Sequence, residues 1–200
     1  MRLANSEHES HAWRIAEVAP DFRLEDAWEL PAQGGARDFA SLLEVVGSLD
    51  PSAAESRATR ALFSIRYRIG GWLGWDEPRP NASNAEQAET TLSARLPRDL
   101  RGTTAGVQLR SSDFTPLYRT DVEWAAELSN RTVHAVMHLA WVDRGEGRYR
   151  GQMGVYVKPR GRFGSAYMAA IAPFRHLIVY PALMREIDRG WQARRRSPAD

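Results

Sequence analysis

The sequence predicts an α+β fold: one domain in which an antiparallel sheet, drawn from residues 22–30 and 114–171, embraces a long C-terminal helix over about 173–194. Three observations lead there. Beyond Gly106 the apolar period changes from helical to alternating. The alternating segments are joined by turns too short for anything but antiparallel neighbours. Finally, "APFRHLIVYPALMREIDRGW" repeats its apolar residues at helical spacing.

Taken in order, residues 1–12 are polar and unpatterned, which predicts a flexible arm outside a domain spanning 13–194, with a second flexible tail at 195–200. "DFRLEDAWEL" reads as a short strand, Phe22, Leu24 and Asp26 on one face and Arg23, Glu25 and Ala27 on the other, ended by Pro31 and the Gly34-Gly35 turn. Asp38 then caps a helix carrying Phe39, Leu42, Leu43 and Val46. Leu62, Ile65, Ile69 and Trp72 define a further helix over about 58–72. "DEPRPNASNAEQAETTLSA" has no period and little apolar content beyond alanine, so it is expected as an exposed connection.

Val122, Trp124, Ala126 and Leu128 share one face of a strand whose other face carries Glu123 and Glu127. A tight turn at Asn130-Arg131 leads into "TVHAVMHLAWV", with Val133, Ala135, Met137, Leu139 and Trp141 on its apolar face. "DRGEGR" is the next turn, "YRGQMGVYVKP" the next strand and "RGRFG" another turn. "SAYMAAIA" is expected as a last strand running into the helix at Pro173.

A chain of 200 residues with 43% apolar content buries one substantial core. Its 27 basic and 25 acidic residues leave a net charge of only +2, and the arginines are scattered, so nucleic acid is not an expected partner. The absence of cysteine excludes disulfides, thiolate catalysis and cysteine-held metals. No signal peptide is evident and no apolar run approaches the roughly 20 residues needed to span a bilayer, so no integral membrane association is expected and the cytoplasm is the expected location.

No catalytic, cofactor or metal motif is expected. His134 and His138 are four apart, a spacing that on a strand separates them by roughly 13 Å, too far for one zinc. They are expected as half-exposed histidines facing away from the apolar side. "HESH" at residues 8–11 has the wrong spacing for a metalloprotease, and "GEGRYRG" lies between strands, where no helix terminus could hold a phosphate. In the last helix Leu177, Tyr180, Met184, Ile187 and Trp191 form one stripe, flanked by Phe174 and Leu183. Pro181 predicts a bend beside it. Ile178 and Val179 make the helix's first half apolar almost all round, so that half is expected to be enclosed. Asp188 falls near the centre of the stripe, where an acid needs a partner, with an arginine the expected one.

"NRTVHAVMHLAWV", "YRGQMGVYVKP", "AYMAAIAPFRHLIVYPALM" and "APDFRLEDAWELP" together resemble a bacterial family catalogued only as a domain of unknown function, over roughly residues 13–191. That family is grouped with the START-like, polyketide-cyclase-like (SRPBCC) helix-grip proteins, in which a curved antiparallel sheet wraps a long C-terminal helix. The resemblance implies a helix-grip fold and a cavity, but no reaction. Large, adaptable side chains on the inferred inner faces then suggest binding of a small apolar ligand between sheet and helix, by Trp124, Met137, Trp141, Met153, Tyr180, Met184 and Asp188. The alternatives are a cyclase- or hydrolase-like enzyme using Asp188 or a histidine as general acid or base, and an interaction module without a ligand.

Overall fold

The computed structural model describes residues 1–49, 91–103, 114–129, 133–159 and 161–196, and over 161–167 the backbone alone. The helix expected over 58–72 and the Asn130-Arg131 turn lie outside these residues. Among those described, six strands form one sheet: β1 (Arg2–Leu3), β2 (Arg23–Gly34), β3 (Thr115–Arg119), β4 (Glu123–Ser129), β5 (Val133–Asp143) and β6 (Tyr149–Pro159). Their order is β1-β2-β6-β5-β4-β3, and every neighbouring pair is antiparallel. The meander from β4 to β6 follows the alternation read from the sequence.

Both faces of this sheet are buried. One is covered by α3 (Phe39–Ser48) and the C-terminal helical rod, which meet Leu30, Trp124, Leu139, Trp141 and Met153. The other is covered by short pieces: α1 (Asn5–Glu9), α2 (Ile15–Val18) and two 3-10 turns at Leu92–Arg95 and Arg98–Leu100. Ile15, Val18, Leu92, Leu96 and Leu100 from these pieces pack on Leu24, Ala125, Val136 and Tyr156. Leu92, near the end of the connection expected to be exposed, is therefore buried, while residues 76–90 of that connection lie outside those described.

The first twelve residues, expected as a loose arm, lie docked on the domain instead. β1 pairs with Ala27 and Trp28, and the His8 side chain is wholly buried. The segment holds because it has a place to enter: a Cβ on Gly154 would stand 2.7 Å from His8 Nε2, so only glycine lets the imidazole lie on β6 at that point. Gly151, three residues earlier and on the opposite face, admits Leu30 and Leu42 in the same way.

β2 departs from simple alternation. Leu24 pairs with Tyr156 and Asp26 with Val155, which leaves Glu25 as an extra residue, a bulge that turns Asp26 and Trp28 to the face opposite Leu24. The expected grouping of Leu24 with Asp26 is thereby corrected. The strand also passes through Pro31, where a second irregularity between Glu29 and Gln33 removes the need for its missing N–H.

"SAYMAAIA" is helix rather than strand. Four alanines in eight residues favour the helix, and the apparent alternation was too weak to oppose them. It belongs to α4 (Gly161–Phe174), which passes through a π-helical turn at Arg175–Val179 into α5 (Tyr180–Arg196). In the π turn the Tyr180 N–H donates to the Arg175 carbonyl, five residues back. The wider turn accompanies Pro181, which has no N–H to give the Leu177 carbonyl. It also rotates the upstream residues out of phase: Tyr180, Ile187 and Trp191 are buried, whereas Leu177, expected on the same stripe, is 76% exposed. The first half of the rod is accordingly not enclosed.

Gly154→Ala should push His8 off the sheet and loosen residues 1–13 while β4–β6 stay intact. Hydrogen-exchange mass spectrometry should show faster exchange confined to that N-terminal stretch, with a loss of stability of about 1–3 kcal/mol.

Candidate functional site

The Glu25 bulge carries Asp26 under the C-terminal rod, where it is 1% exposed. A carboxylate so placed needs partners, and the rod supplies three. His176 Nε2 stands 2.6 Å from Oδ1, the Tyr180 hydroxyl donates to Oδ2 at 2.9 Å, and Arg175 Nη2 lies 3.3 Å from Oδ2. Arg2, from β1, approaches Oδ1 at 3.8 Å. Burial, then the Asp26 charge, push the Tyr180 phenol well above its ordinary pKa, so it remains a donor. His176 stacks on Tyr180, and Trp28 tilts against both rings. The π turn makes this cluster possible, because widening there keeps His176 and Tyr180 on the sheet side while Leu177 turns outward.

Arg175 joins this carboxylate to an opening. Its Nη2 also reaches Glu25 Oε1 at 3.4 Å, and Nη1 lies 3.9 Å from Met168 Sδ. Glu25 and Met168 line a cleft of about 400 Å³ between the end of β2 and β6 and the rod, together with Arg23, Val157, Pro159 and Ala169. Lys158 and Asp21, at its mouth, pair with each other at 2.6 Å. Two buried donors at the junction, Arg175 Nε and Trp28 Nε1, have no hydrogen-bond partner among the described residues.

The opposite face holds a second polar group. Glu123 and Glu127, read on the face opposite the apolar residues of a half-buried strand, are buried, and so are His134 and His138, expected to be half exposed. The covering segments explain the difference. Glu123 accepts from the backbone N–H of Arg14 at 2.9 Å and from the Tyr118 hydroxyl at 3.1 Å, and lies 3.2 Å from His138 Nε2. Glu127 repeats the pattern with the Leu92 N–H at 3.0 Å and His134 Nε2 at 2.9 Å. Each carboxylate thus ties an irregular segment to the sheet, and the two histidines serve different acids. Among the described residues no group of three His, Asp or Glu is arranged to hold a metal.

His8 extends the Glu123 group. Its Nδ1 is 2.8 Å from the Gln152 amide oxygen and its Nε2 is 3.1 Å from His138 Nδ1. With both rings neutral, one direction satisfies the whole chain: Gln152 Nε2–H to His8, His8 Nε2–H to His138, and His138 Nε2–H to Glu123. This requires the Gln152 amide turned over, which also removes the partnerless buried Nε2. Burial, then the neighbouring His138, lower the His8 pKa from 6.5 to about 4. Burial alone would raise Glu123, but its hydrogen bond to His138 prevails and the carboxyl titrates below its ordinary value.

Of the residues singled out in the sequence, Trp124, Met137, Trp141, Met153, Tyr180 and Met184 do share one apolar cluster beneath α3 and α5. Trp124, Trp141 and Met153 are at most 2% exposed and packed against their neighbours. Asp188 stands apart: it is exposed and accepts a hydrogen bond from Gln192 at 3.4 Å, because it falls one residue past the buried Ile187. The sequence reading missed Asp26, Arg175 and His176. Their signal was present as an acid between Leu24 and Trp28, and as an Arg-His pair inside an otherwise apolar helix.

Fold and site define an α+β protein with one antiparallel sheet buried on both sides and a polar centre where its C-terminal rod crosses β2. The family model of DUF2867, described as a protein of unknown function, matches residues 18–182, and the chain belongs to that family. No curated protein and no solved structure matches it.

The shift of His8 sets a pH dependence. Between about 6.5 and about 4 the unfolded chain binds the proton that the folded chain refuses. Stability should be full above pH 6.5, fall by about 3 kcal/mol through that window and level off below it, with Glu123 adding a further loss at lower pH. Urea midpoints measured from pH 7.5 to 4 should show this slope, and His8→Gln should flatten it.

Proposed function

We propose that the protein binds a small molecule between the sheet and the C-terminal rod, its apolar body in the cleft beside Met168 and its polar group toward Asp26, Arg175, His176 and Tyr180. The observation that carries this reading is Arg175, whose guanidinium contacts Asp26 on one side and, through Glu25 and Met168, the lining of the cleft on the other. A space of about 400 Å³ lies within the range of small-ligand sites, and Val157, Pro159, Met168 and Ala169 give it an apolar part beside the charged Asp21, Arg23, Glu25 and Lys158. The partnerless donors of Arg175 and Trp28 suit a centre kept for more than stability. The reading keeps the helix-grip architecture, with a long helix across one face of an antiparallel sheet. It moves the ligand from the packed tryptophans toward the N-terminal half of the rod.

The amphipathic probe 1-anilinonaphthalene-8-sulfonate should bind the native protein at one site with enhanced fluorescence. Ala169 is exposed and lines the cleft, so Ala169→Trp should abolish that binding while changing stability by no more than about 0.5 kcal/mol. Unchanged probe binding by Ala169→Trp would place the site elsewhere.

A further inference from the structure

We propose that residues 1–13 form a clasp opened by acid: protonation of His8 lifts the segment from the edge of the sheet while β2–β6 and the rod stay folded. The segment bends around the edge of β2 and sends a side chain to each face. Arg2, opposite Trp28, turns toward Asp26, and Leu3, opposite Ala27, joins the core of the other face. α1 then carries His8 over β6, where the ring is wholly buried above Gly154.

Few contacts beyond His8 hold the segment among the described residues. Its buried apolar side chains are Leu3 and Trp13, and the Trp13 indole N–H donates to the His8 carbonyl, inside the segment itself. The Asn5 amide donates to the Leu24 carbonyl at 2.8 Å, and Arg144 reaches Glu7 at 3.3 Å on the surface. α2 is anchored separately, by the buried Ile15 and Val18 and by the Arg14 N–H on Glu123. Lifting residues 1–13 is therefore a local opening that leaves both cores with most of their members.

The groups facing His8 offer it no carboxylate in contact. β5 presents the His138 ring at 3.1 Å, and β6 presents the Gln152 amide at 2.8 Å and the Tyr156 ring. Glu123 of β4 lies beyond His138 and is taken up by that ring, by the Arg14 N–H and by the Tyr118 hydroxyl of β3. Within the segment Glu7 pairs with Arg144, Glu9 is exposed, and His11 stacks on Trp13. A cation at His8 is thus buried without a countercharge in contact when docked and hydrated when released. Docked, the ring takes its proton at about 4, against 6.5 when free, so docking weakens as pH falls through that window, by up to about 300-fold. Release also draws Arg2 away from Asp26, 3.8 Å distant, which links the buried histidines to the Asp26 centre around one edge of the sheet.

The chain has no cysteine, so Ser6→Cys at an exposed position of α1 gives a single site for a nitroxide spin label. The room-temperature EPR spectrum should be that of an immobilised label at pH 7.5. It should become mobile, reversibly, with a midpoint between pH 6.5 and about 4, while far-UV circular dichroism keeps its strand signal. His8→Gln and His8→Leu, in the same labelled chain, should show no such step, whatever their mobility at pH 7.5. A label still immobile at pH 4, or mobilised only together with loss of the strand signal, would overturn the clasp, and so would a step that persists without His8. At pH 7.5 Gly154→Ala should free the label without acid, and the 1H–13C resonances of the His176 ring should then move as they do in Arg2→Gln. Unmoved resonances in a chain whose label is free would overturn the link to Asp26 and leave the clasp standing.

Discussion

Three carboxylates taken out of water govern how this chain closes. Asp26, Glu123 and Glu127 all sit on strands of a sheet covered on both sides, and each must be met by donors or cations because a bare buried charge would cost more than the fold can spare. Each is met by a part of the chain distant in sequence. Asp26 draws in the π turn and Tyr180, while Glu123 draws in the Arg14 backbone and His138, and Glu127 the Leu92 backbone and His134. Together with the buried Ile15, Val18, Leu92, Leu96 and Leu100, these bonds fix where the covering segments lie as well as neutralising the acids.

The two faces use this device for different ends. On the face of Glu123 and Glu127 the donors are backbone N–H groups and wholly buried rings, an arrangement closed to water that locks structure in place. On the face of Asp26 the partners are side chains, Tyr180 buried and Arg175 and His176 partly accessible, on a helix that has left its regular spacing, beside an open cleft. A π turn is costlier than an α turn and recurs at functional sites. Here it is the element that brings Arg175 and His176 to one acid.

How far the sequence could be read follows from these contacts. The β4–β6 meander was legible because one face of β4 and of β5 reads apolar at every second residue and the joining turns are short, and the buried side of α5 because Tyr180, Ile187 and Trp191 recur at helical spacing. The polar-facing side of the same strands misled: Glu123, His134 and His138 alternate as solvent-facing residues do, and only segments far away in sequence bury them. Leu177 was misplaced because a regular period was carried through a turn that is one residue wider, and Asp188 was misread against the same assumed stripe. The Ala-rich stretch before Pro173 has a pattern compatible with either strand or helix, and there intrinsic preference decided. Asp26 was hidden by the bulge, since no alternation rule places Leu24 and Asp26 on opposite faces.

That bulge gives β2 a property seldom attached to a single residue. A strand is a two-state address, each position reading either up or down, and Glu25 flips the reading for everything after it until the next irregularity near Pro31. Upstream of it the chain writes to the face of the buried histidines, and downstream to the face of the helical rod. A relative lacking one residue at this point would deliver its acid to the wrong layer while keeping nearly every amino acid the same. A carboxylate under the rod is therefore a matter of the spacing around position 25 as much as of which residues are present.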